Sequence, residues 1–181
     1  MKRSLYCILI LSCLFLFLMG CGESEPISVA PAEETTEESS EICVFESDFG
    51  YSMEYDPSVF YVLTDPESDS FGLWDEDADA EVSVSINVER VRGYTVSEYI
   101  DSITSSVESG VWSVTEAEFG ANHKNATTVM YEDDLSGISV YHAVTLVKNG
   151  SDIFVVETVT HDGVSESVTL AIREMLNTFR F

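Results

Sequence analysis

The sequence predicts an α+β fold, with an antiparallel β-sheet meander of about six to eight strands packed by two main helices. Apolar and polar residues alternate with period two over residues 81–88, which indicates a strand with one buried face. Two other segments have apolar residues at helical spacing, and Asn149-Gly150 between two strand-like runs indicates a hairpin. Less regular strand-like runs occupy residues 51–55, 59–63, 111–119, 126–131, 138–148 and 153–160.

Two segments are predicted to be helices. The first follows Thr95, which forms a capping-box pattern with Glu98, and Gly110 supplies a stop signal. Its apolar stripe consists of Val96, Tyr99, Ile100, Ile103 and Val107. The second helix covers residues 165–177, and its apolar face consists of Val168, Ala171, Ile172, Met175 and Leu176. Residues 179–181 then resume an extended pattern and are expected to join the sheet.

The Asn149-Gly150 turn also predicts a strand register. A two-residue type I′ turn would place Lys148 opposite Ser151. The same register sets four further facing pairs: Leu146 with Ile153, Val144 with Val155, Val140 with Val159, and His142 with Glu157. Facing β-carbons lie about 4.5–5.5 Å apart, which allows an imidazole–carboxylate hydrogen bond. His142 and Glu157 are interpreted as polar groups that satisfy each other beside the core, with a proton relay or the floor of a pocket as the alternative.

An acidic segment precedes the most regular strand and contains the candidate metal ligands. These are the alternating carboxylates Asp75, Asp77, Asp79 and Glu81. Oxygen ligands of this kind suit calcium or magnesium, but Ala80 and Ile86 stand where an EF-hand loop has glycine and glutamate. We therefore interpret the segment as a solvated acidic turn and keep a calcium-responsive module as an alternative function.

The first twenty residues have the parts of an export signal. Lys2 and Arg3 precede an apolar stretch over residues 5–19, which as a helix would reach roughly 22 Å, short of a bilayer core of about 30 Å. Leu18-Met19-Gly20-Cys21 resembles the lipobox of bacterial lipoproteins, in which the cysteine receives a lipid. The predicted organisation is a signal peptide over 1–20, a lipidated Cys21 with an acidic disordered linker over 21–41, and one domain over 42–181.

The cysteines and the net charge of the chain limit the classes of partner that the domain can bind. Cys7 and Cys13 would leave with the leader and Cys21 would carry the lipid, so Cys43 would keep the free thiol and is expected to be buried. The chain has 33 acidic and 8 basic residues and a net charge of −25. A nucleic acid partner is excluded because a polyanion requires clustered basic residues. Anionic lipid headgroups would repel the domain as well, so the lipid anchor would make the membrane contact.

Catalytic motifs are scarce in this sequence. It has no Gly-x-Ser-x-Gly, no His-Glu-x-x-His and no glycine-rich phosphate loop, and no cofactor is predicted. A hydrolase that uses His161 or His142 stays open as a second alternative function. Aromatic residues crowd the first third of the domain and are interpreted as core, while Trp112 is a candidate cap for an apolar cleft.

Both ends of the domain resemble those of PsbP-like and DcrB-like proteins. The opening stretch GYSMEYDPSVFYV at 50–62 is similar to their first hairpin, and IREMLNTFRF at 172–181 is similar to their closing helix and short aromatic strand. The resemblance implies an α/β/α sandwich with a non-enzymatic role in assembly, binding or support of a membrane-associated partner. It carries over no functional residue. The sequence therefore predicts a lipid-anchored module on the extracytoplasmic face of the cell membrane that binds a protein or a small ligand and is not an enzyme.

Overall fold

The computed structural model describes residues 41–74, 83–107 and 111–181. The predicted leader, Cys21, nearly all of the linker and the candidate ligands Asp75, Asp77, Asp79 and Glu81 lie outside these ranges. The described strands are β1 (Cys43–Glu46), β2 (Ser52–Tyr55), β3 (Phe60–Thr64), β4 (Ser68–Leu73), β5 (Ser85–Arg92), β6 (Trp112–Phe119), β7 (Lys124–Leu135), β8 (Ile138–Asn149) and β9 (Asp152–His161). The helices are α1 (Val96–Ser106) and α2 (Glu166–Asn177).

Seven of these strands form one antiparallel sheet in the order β3-β4-β5-β9-β8-β7-β6, and β1 pairs with β2 in a separate hairpin. The predicted α+β fold class is confirmed. The sheet consists of two meanders, β3 to β5 and β6 to β9, which join where β5 pairs with β9. Between them the chain passes through α1 and starts β6 at the far edge of the sheet.

Helix α1 begins at the cap that the sequence predicts, and α2 begins directly after Ser165, the first residue of its predicted range. The side chain of Thr95 accepts a hydrogen bond from the Glu98 amide, while the Glu98 carboxylate accepts one from the Thr95 amide. These bonds lower the pKa of the Glu98 carboxyl. Ser165 caps α2 by accepting a hydrogen bond from the amide of Val168. Neither described helix has the length and apolar character needed to cross a membrane.

The helices cover opposite faces of the sheet, because successive residues of a strand point to opposite sides. On one face, four stripe residues of α1, from Val96 to Ile103, pack against Val144, Leu146, Ile153 and Val155, whereas Val107 lies just beyond the end of the helix. On the other face, α2 and the β1–β2 hairpin enclose a larger core that includes Phe71, Ile86, Val88, Phe154 and Val156. We call these the α1 face and the α2 face. The predicted stripe residues of α2 all belong to the larger core.

Strands β1 and β4 were not predicted. The sequence of β4, SDSFGL, has the serine, aspartate and glycine content of a loop. Its glycine has a tertiary role: Gly72 pairs with Tyr61 of β3, and a β-carbon on Gly72 would overlap the Tyr61 ring. Cys43, which was expected to be buried, lies half-buried on β1 and is free of any disulfide in the described residues.

The C-terminal residues pack against the hairpin and do not extend the large sheet. Arg180 forms a single antiparallel bridge with Ser52, so the expectation that residues 179–181 join the main sheet is wrong. Phe179 is nearly inaccessible and stacks on Tyr51 with ring centroids 4.7 Å apart. Burial of these aromatic rings determines where the end of the chain lies.

The β8–β9 hairpin has a register two residues away from the predicted one. Asn149 pairs with Asp152, so the loop residues are Gly150 and Ser151. Only Gly150 of these two has a positive φ, 64°, which is the pattern of a type II′ turn. The predicted facing pairs Leu146–Ile153, Val144–Val155, Val140–Val159 and His142–Glu157 are therefore wrong. Because the shift is even, every side chain keeps its predicted face.

One buried carboxylate connects the hairpin to the sheet. Asp69 of β4 is 4% exposed, and its Oδ2 accepts hydrogen bonds from Ser47 Oγ at 2.5 Å and from Tyr51 Oη at 2.9 Å. Burial, reinforced by the Asp69 charge, raises the pKa of Tyr51 well above its ordinary value. The tyrosine therefore stays protonated and donates across the physiological range.

Replacement of Tyr51 by phenylalanine removes one of these two donors and leaves the packing surface. We expect Tyr51→Phe to lower the free energy of unfolding by about 2 kcal/mol, since a buried charged acceptor loses a hydrogen bond. Urea denaturation measures this change. Tyr94→Phe, at an exposed ring, is the matched control and should change stability little. Equal effects of the two substitutions would contradict the role of Asp69.

Candidate functional site

His142 of β8 lies between two carboxylates on the α1 face. Its Nδ1 is 3.1 Å from Glu157 Oε1 of β9, and its Nε2 is 3.7 Å from Asp133 Oδ2 of β7. The imidazole side chain is 18% exposed, whereas the two carboxylate side chains are 33% and 40% exposed. The imidazole therefore has a carboxylate near each ring nitrogen, and only the contact with Glu157 is within hydrogen-bond distance.

His142 and Glu157 contact each other although they are not facing residues. In the observed register His142 lies opposite Val159 and Glu157 lies opposite Val144, which makes the polar pair diagonal neighbours on one face. Diagonal neighbours are within reach of long side chains. The hydrogen bond is therefore present in a register that the sequence did not predict.

The ring of Tyr131 fixes the orientation of the imidazole. Tyr131 is the β7 partner of His142, and the two rings stack in parallel with centroids 4.5 Å apart. Burial, followed by the charges of Glu157 and Asp133, raises the pKa of Tyr131 to about 12. The histidine is therefore enclosed by a neutral ring on one side and by carboxylates at both ring nitrogens.

A small cavity of about 120 Å³ lies beside this cluster, between α1 and the sheet. Polar groups dominate its lining, including Asn87, Glu89, Tyr99, Tyr131 and Glu157. Burial, and next the nearby charge of Glu157, raise the pKa of the Glu89 carboxyl. Burial likewise raises the pKa of Tyr99, with Glu89 and Glu157 contributing. Negative charge in this cavity therefore makes a proton on Glu89 more favourable.

The cluster lacks the geometry of an activated nucleophile. Both ring nitrogens of His142 face carboxylates, whereas a hydrolase of the serine or cysteine type requires a hydroxyl or thiol at one of them. His161 Nδ1 lies 2.7 Å from the carbonyl oxygen of Asp162, and His123 Nδ1 lies 3.1 Å from a Glu118 carboxylate oxygen. Each of the three histidines therefore has a polar partner at a ring nitrogen, and the hydrolase alternative stays a prediction.

The part of the chain that the structure describes contains no cluster of side chains that could bind a metal ion. No group of three or more histidine, cysteine, aspartate or glutamate side chains there has an arrangement that could hold an ion. The acidic residues 132–134 lie in β7 just before the turn to β8, and Asp134 Oδ1 accepts a hydrogen bond from the Gly137 amide at 2.9 Å. The candidate ligands at 75–81 lie outside the described residues, so the calcium-responsive alternative stays a prediction.

A larger groove of about 680 Å³ opens at the ends of strands β6 to β9. Its lining residues include Trp112, Met130, Glu132, Tyr141, Ala143 and Thr158. Met130 is 41% exposed and Trp112 is 45% exposed, so apolar surface is accessible there. Carboxylates of residues 132–134 line the same groove. We call this region the β6–β9 groove.

One of the two tyrosines that line the β6–β9 groove is held by a hydrogen bond. Tyr141 Oη donates to Asp162 Oδ1 at 2.9 Å, and this bond raises the pKa of Tyr141. The sequence identifies Trp112 as a candidate cap for a cleft but does not identify Met130, Tyr141 or the contact between Asp133 and His142. Alternation in β7 and β8 places Met130 and Tyr141 on one face and Asp133 and His142 on the other, and only the observed strand register shows which of these side chains are neighbours.

The acidic cavity under α1 predicts how stability depends on pH. A carboxyl whose folded-state pKa is raised contributes stability below its ordinary pKa and loses it as the pH rises through the folded-state value. Glu89→Gln should therefore raise the melting temperature at about pH 7 and have little effect at about pH 4. Thermal unfolding monitored by circular dichroism measures both. Glu46→Gln, which removes an exposed charge elsewhere, is the control, and an identical pH profile for both variants would contradict this explanation.

The chain is similar in structure to several solved proteins. The solution structure of cyanobacterial PsbP (CyanoP) from Synechocystis sp. PCC 6803 has a TM-score of 0.51 and 10% identity, covering 88% of this chain and 97% of that one. A crystal structure from Bacteroides thetaiotaomicron VPI-5482 has a TM-score of 0.50 and 14% identity, covering 72% of this chain and 44% of that one, so this chain spans less than half of its length. No protein-family model and no curated protein matches the sequence. At these identities the similarity establishes the fold, and the predicted PsbP-like fold is confirmed.

Proposed function

We propose that the chain is a lipoprotein, held at the extracytoplasmic face of the cell membrane through Cys21, whose domain binds a protein or small ligand without catalysis. The lipobox-like sequence, the acidic linker and the PsbP-like fold support this proposal together. The linker would let the domain reach roughly 25 Å from the bilayer surface if it behaves as a flexible coil. A membrane role through protein charge is disfavoured, because the chain has a net charge of −25.

The observation that carries the binding role is the β6–β9 groove. Its volume of about 680 Å³ lies within the range of roughly 300–1,000 Å³ that is typical of ligand sites. Accessible Trp112 and Met130 offer apolar and aromatic surface, while the acidic residues 132–134 supply negative charge. An aromatic ring and a carboxylate together favour a cation attached to an apolar group. The bound group is therefore expected to be apolar and positively charged.

Lipid attachment is tested by substitution of the two cysteines that would stay in the mature chain. Cys21→Ser should move the protein from the membrane fraction to the soluble extracytoplasmic fraction, because no acyl chain can be added. Cys43→Ser should leave the protein in the membrane fraction. Mass spectrometry of the N-terminal peptide provides the direct measurement. A wild-type chain with an unmodified Cys21 and an intact leader would contradict the anchor.

The groove is tested with a fluorescent reporter that the sequence already contains. The chain has two tryptophans, so Trp74→Phe leaves Trp112 at the groove as the sole indole. We expect its emission to respond most to benzyltrimethylammonium, less to benzyl alcohol and least to benzoate, which differ mainly in charge. The reason is that the cation alone gains from the acidic groove.

A charge placed in the groove should remove this preference. Met130→Arg in the Trp74→Phe background is expected to weaken the response to benzyltrimethylammonium by about tenfold. Leu170→Arg is the control, since Leu170 is 44% exposed on α2, close to the 41% of Met130. Equal responses to the cation and to benzoate, or equal losses in both arginine variants, would contradict binding in the groove.

A further inference from the structure

Strand β6 is an edge of the seven-stranded sheet. It pairs with β7 through eight consecutive residues, and among the described residues no other strand pairs with it. Each residue from 112 to 118 is exposed. In an antiparallel edge strand, every second residue directs its N–H and C=O groups away from the neighbouring strand. Strand β6 therefore offers a row of backbone hydrogen-bonding groups to an incoming chain.

The features that usually prevent edge pairing are scarce in β6. Its sequence, WSVTEAEF, has no lysine or proline, and its pairing with β7 continues without a bulge. The other edge strand, β3, has only five residues, whereas β6 has eight. The charges in β6 are those of Glu116 and Glu118. This edge is thus long and regular. Because its charges are negative, it would repel acidic segments and attract basic ones.

The side chains of β6 form an ordered pattern on the α1 face. Alternation places Trp112, Val114, Glu116 and Glu118 on that face. Trp112 is 45% exposed and Val114 is 46% exposed, so the first half of the strand is apolar and accessible. The second half is acidic. The opposite face of the strand has the small side chains of Ser113, Thr115 and Ala117, followed by Phe119, which packs against the larger core.

We propose that the edge of β6 binds an extended segment of an exported protein, which adds to the sheet as an antiparallel strand. From its N-terminus, this segment has two alternate basic residues that lie opposite Glu118 and Glu116. Two alternate apolar residues follow and lie opposite Val114 and Trp112. Backbone pairing supplies affinity and the alternate side chains supply specificity. This inference deepens the proposed function and rests on its binding role.

Charge disfavours the other strands that could occupy this edge. The linker of this chain has no basic residue between positions 22 and 41, so it cannot complement Glu116 and Glu118. In a second copy paired antiparallel through β6, each of these glutamates would face another glutamate or an apolar residue. The net charge of −25 adds repulsion between copies. A basic segment of a different protein avoids all three penalties.

The test uses the full chain in a non-ionic detergent and labelled peptides of defined sequence. The probe is Lys-Thr-Lys-Thr-Val-Thr-Val, and its acidic counterpart is Glu-Thr-Glu-Thr-Val-Thr-Val. Two further probes have N-methyl groups either on the threonines or on the lysines and valines. Fluorescence anisotropy should show binding of the basic peptide at least about tenfold tighter than that of the acidic peptide. Only one of the two N-methylated probes should bind, because alternate amides of an added strand face β6.

The protein variants test where the peptide binds. Glu116→Lys with Glu118→Lys should reverse the preference between the basic and acidic peptides. Glu166→Lys with Glu174→Lys makes the same charge change on exposed positions of α2 and should keep the original preference. Hydrogen exchange should show new protection of β6 amides when the basic peptide is bound.

Three results would overturn the inference. The first is an unchanged preference in the β6 variant, and the second is equal binding of the two N-methylated probes. The third is a peptide-free dimer with protected β6 amides, which would assign the edge to a second copy. If one of these is found while Trp112 still responds to benzyltrimethylammonium, the edge-strand inference fails and the proposed binding role stands. If the basic peptide does not bind and Trp112 does not respond to benzyltrimethylammonium, both the edge-strand inference and the proposed binding role fail.

Discussion

The pairing of β5 with β9 is the contact on which the rest of the sheet depends. It joins the meander β3 to β5 to the meander β6 to β9, which are otherwise connected in sequence only through α1. Four consecutive residues of β9, Ile153 to Val156, are buried, so this strand is covered on both faces. A strand buried on both faces needs a layer on each side. The α1 layer and the α2 layer therefore both follow from the central position of β9.

Repulsion between carboxylates is the main electrostatic feature of the polar residues on the α1 face. In a chain with a net charge of −25, carboxylates brought together under α1 repel one another. The imidazole of His142 lies between Glu157 and Asp133 and is within hydrogen-bond distance of Glu157. Glu89 lies on the same face, and burial, followed by the charge of Glu157, raises the pKa of its carboxyl. This face thus contains one carboxylate that contacts an imidazole and one carboxyl whose charged form is disfavoured.

Much of this fold follows from local sequence signals. Thr95 with Glu98 identifies where α1 starts, and helical spacing identifies the side that each helix buries. The register of β8 and β9 does not follow, because Asn149-Gly150 and Gly150-Ser151 are both plausible two-residue turns. Strand β4 resembles a loop in sequence and becomes a strand through its neighbours β3 and β5. The β6–β9 groove requires four strands in register, which no local signal specifies.

The β1–β2 hairpin covers one end of the sheet but not the other. The accessible apolar surface therefore lies on the meander β6 to β9. Strands β3 to β5 lie beneath the β1–β2 hairpin, whose Tyr51 and Ser47 are bound to Asp69 of β4. Strands β6 and β7 extend beyond the apolar residues of α1 and α2, so Trp112, Val114 and Met130 stay exposed. Burial of these side chains within the chain would have stabilised the fold. Their exposure beside acidic residues is typical of a surface that binds a partner.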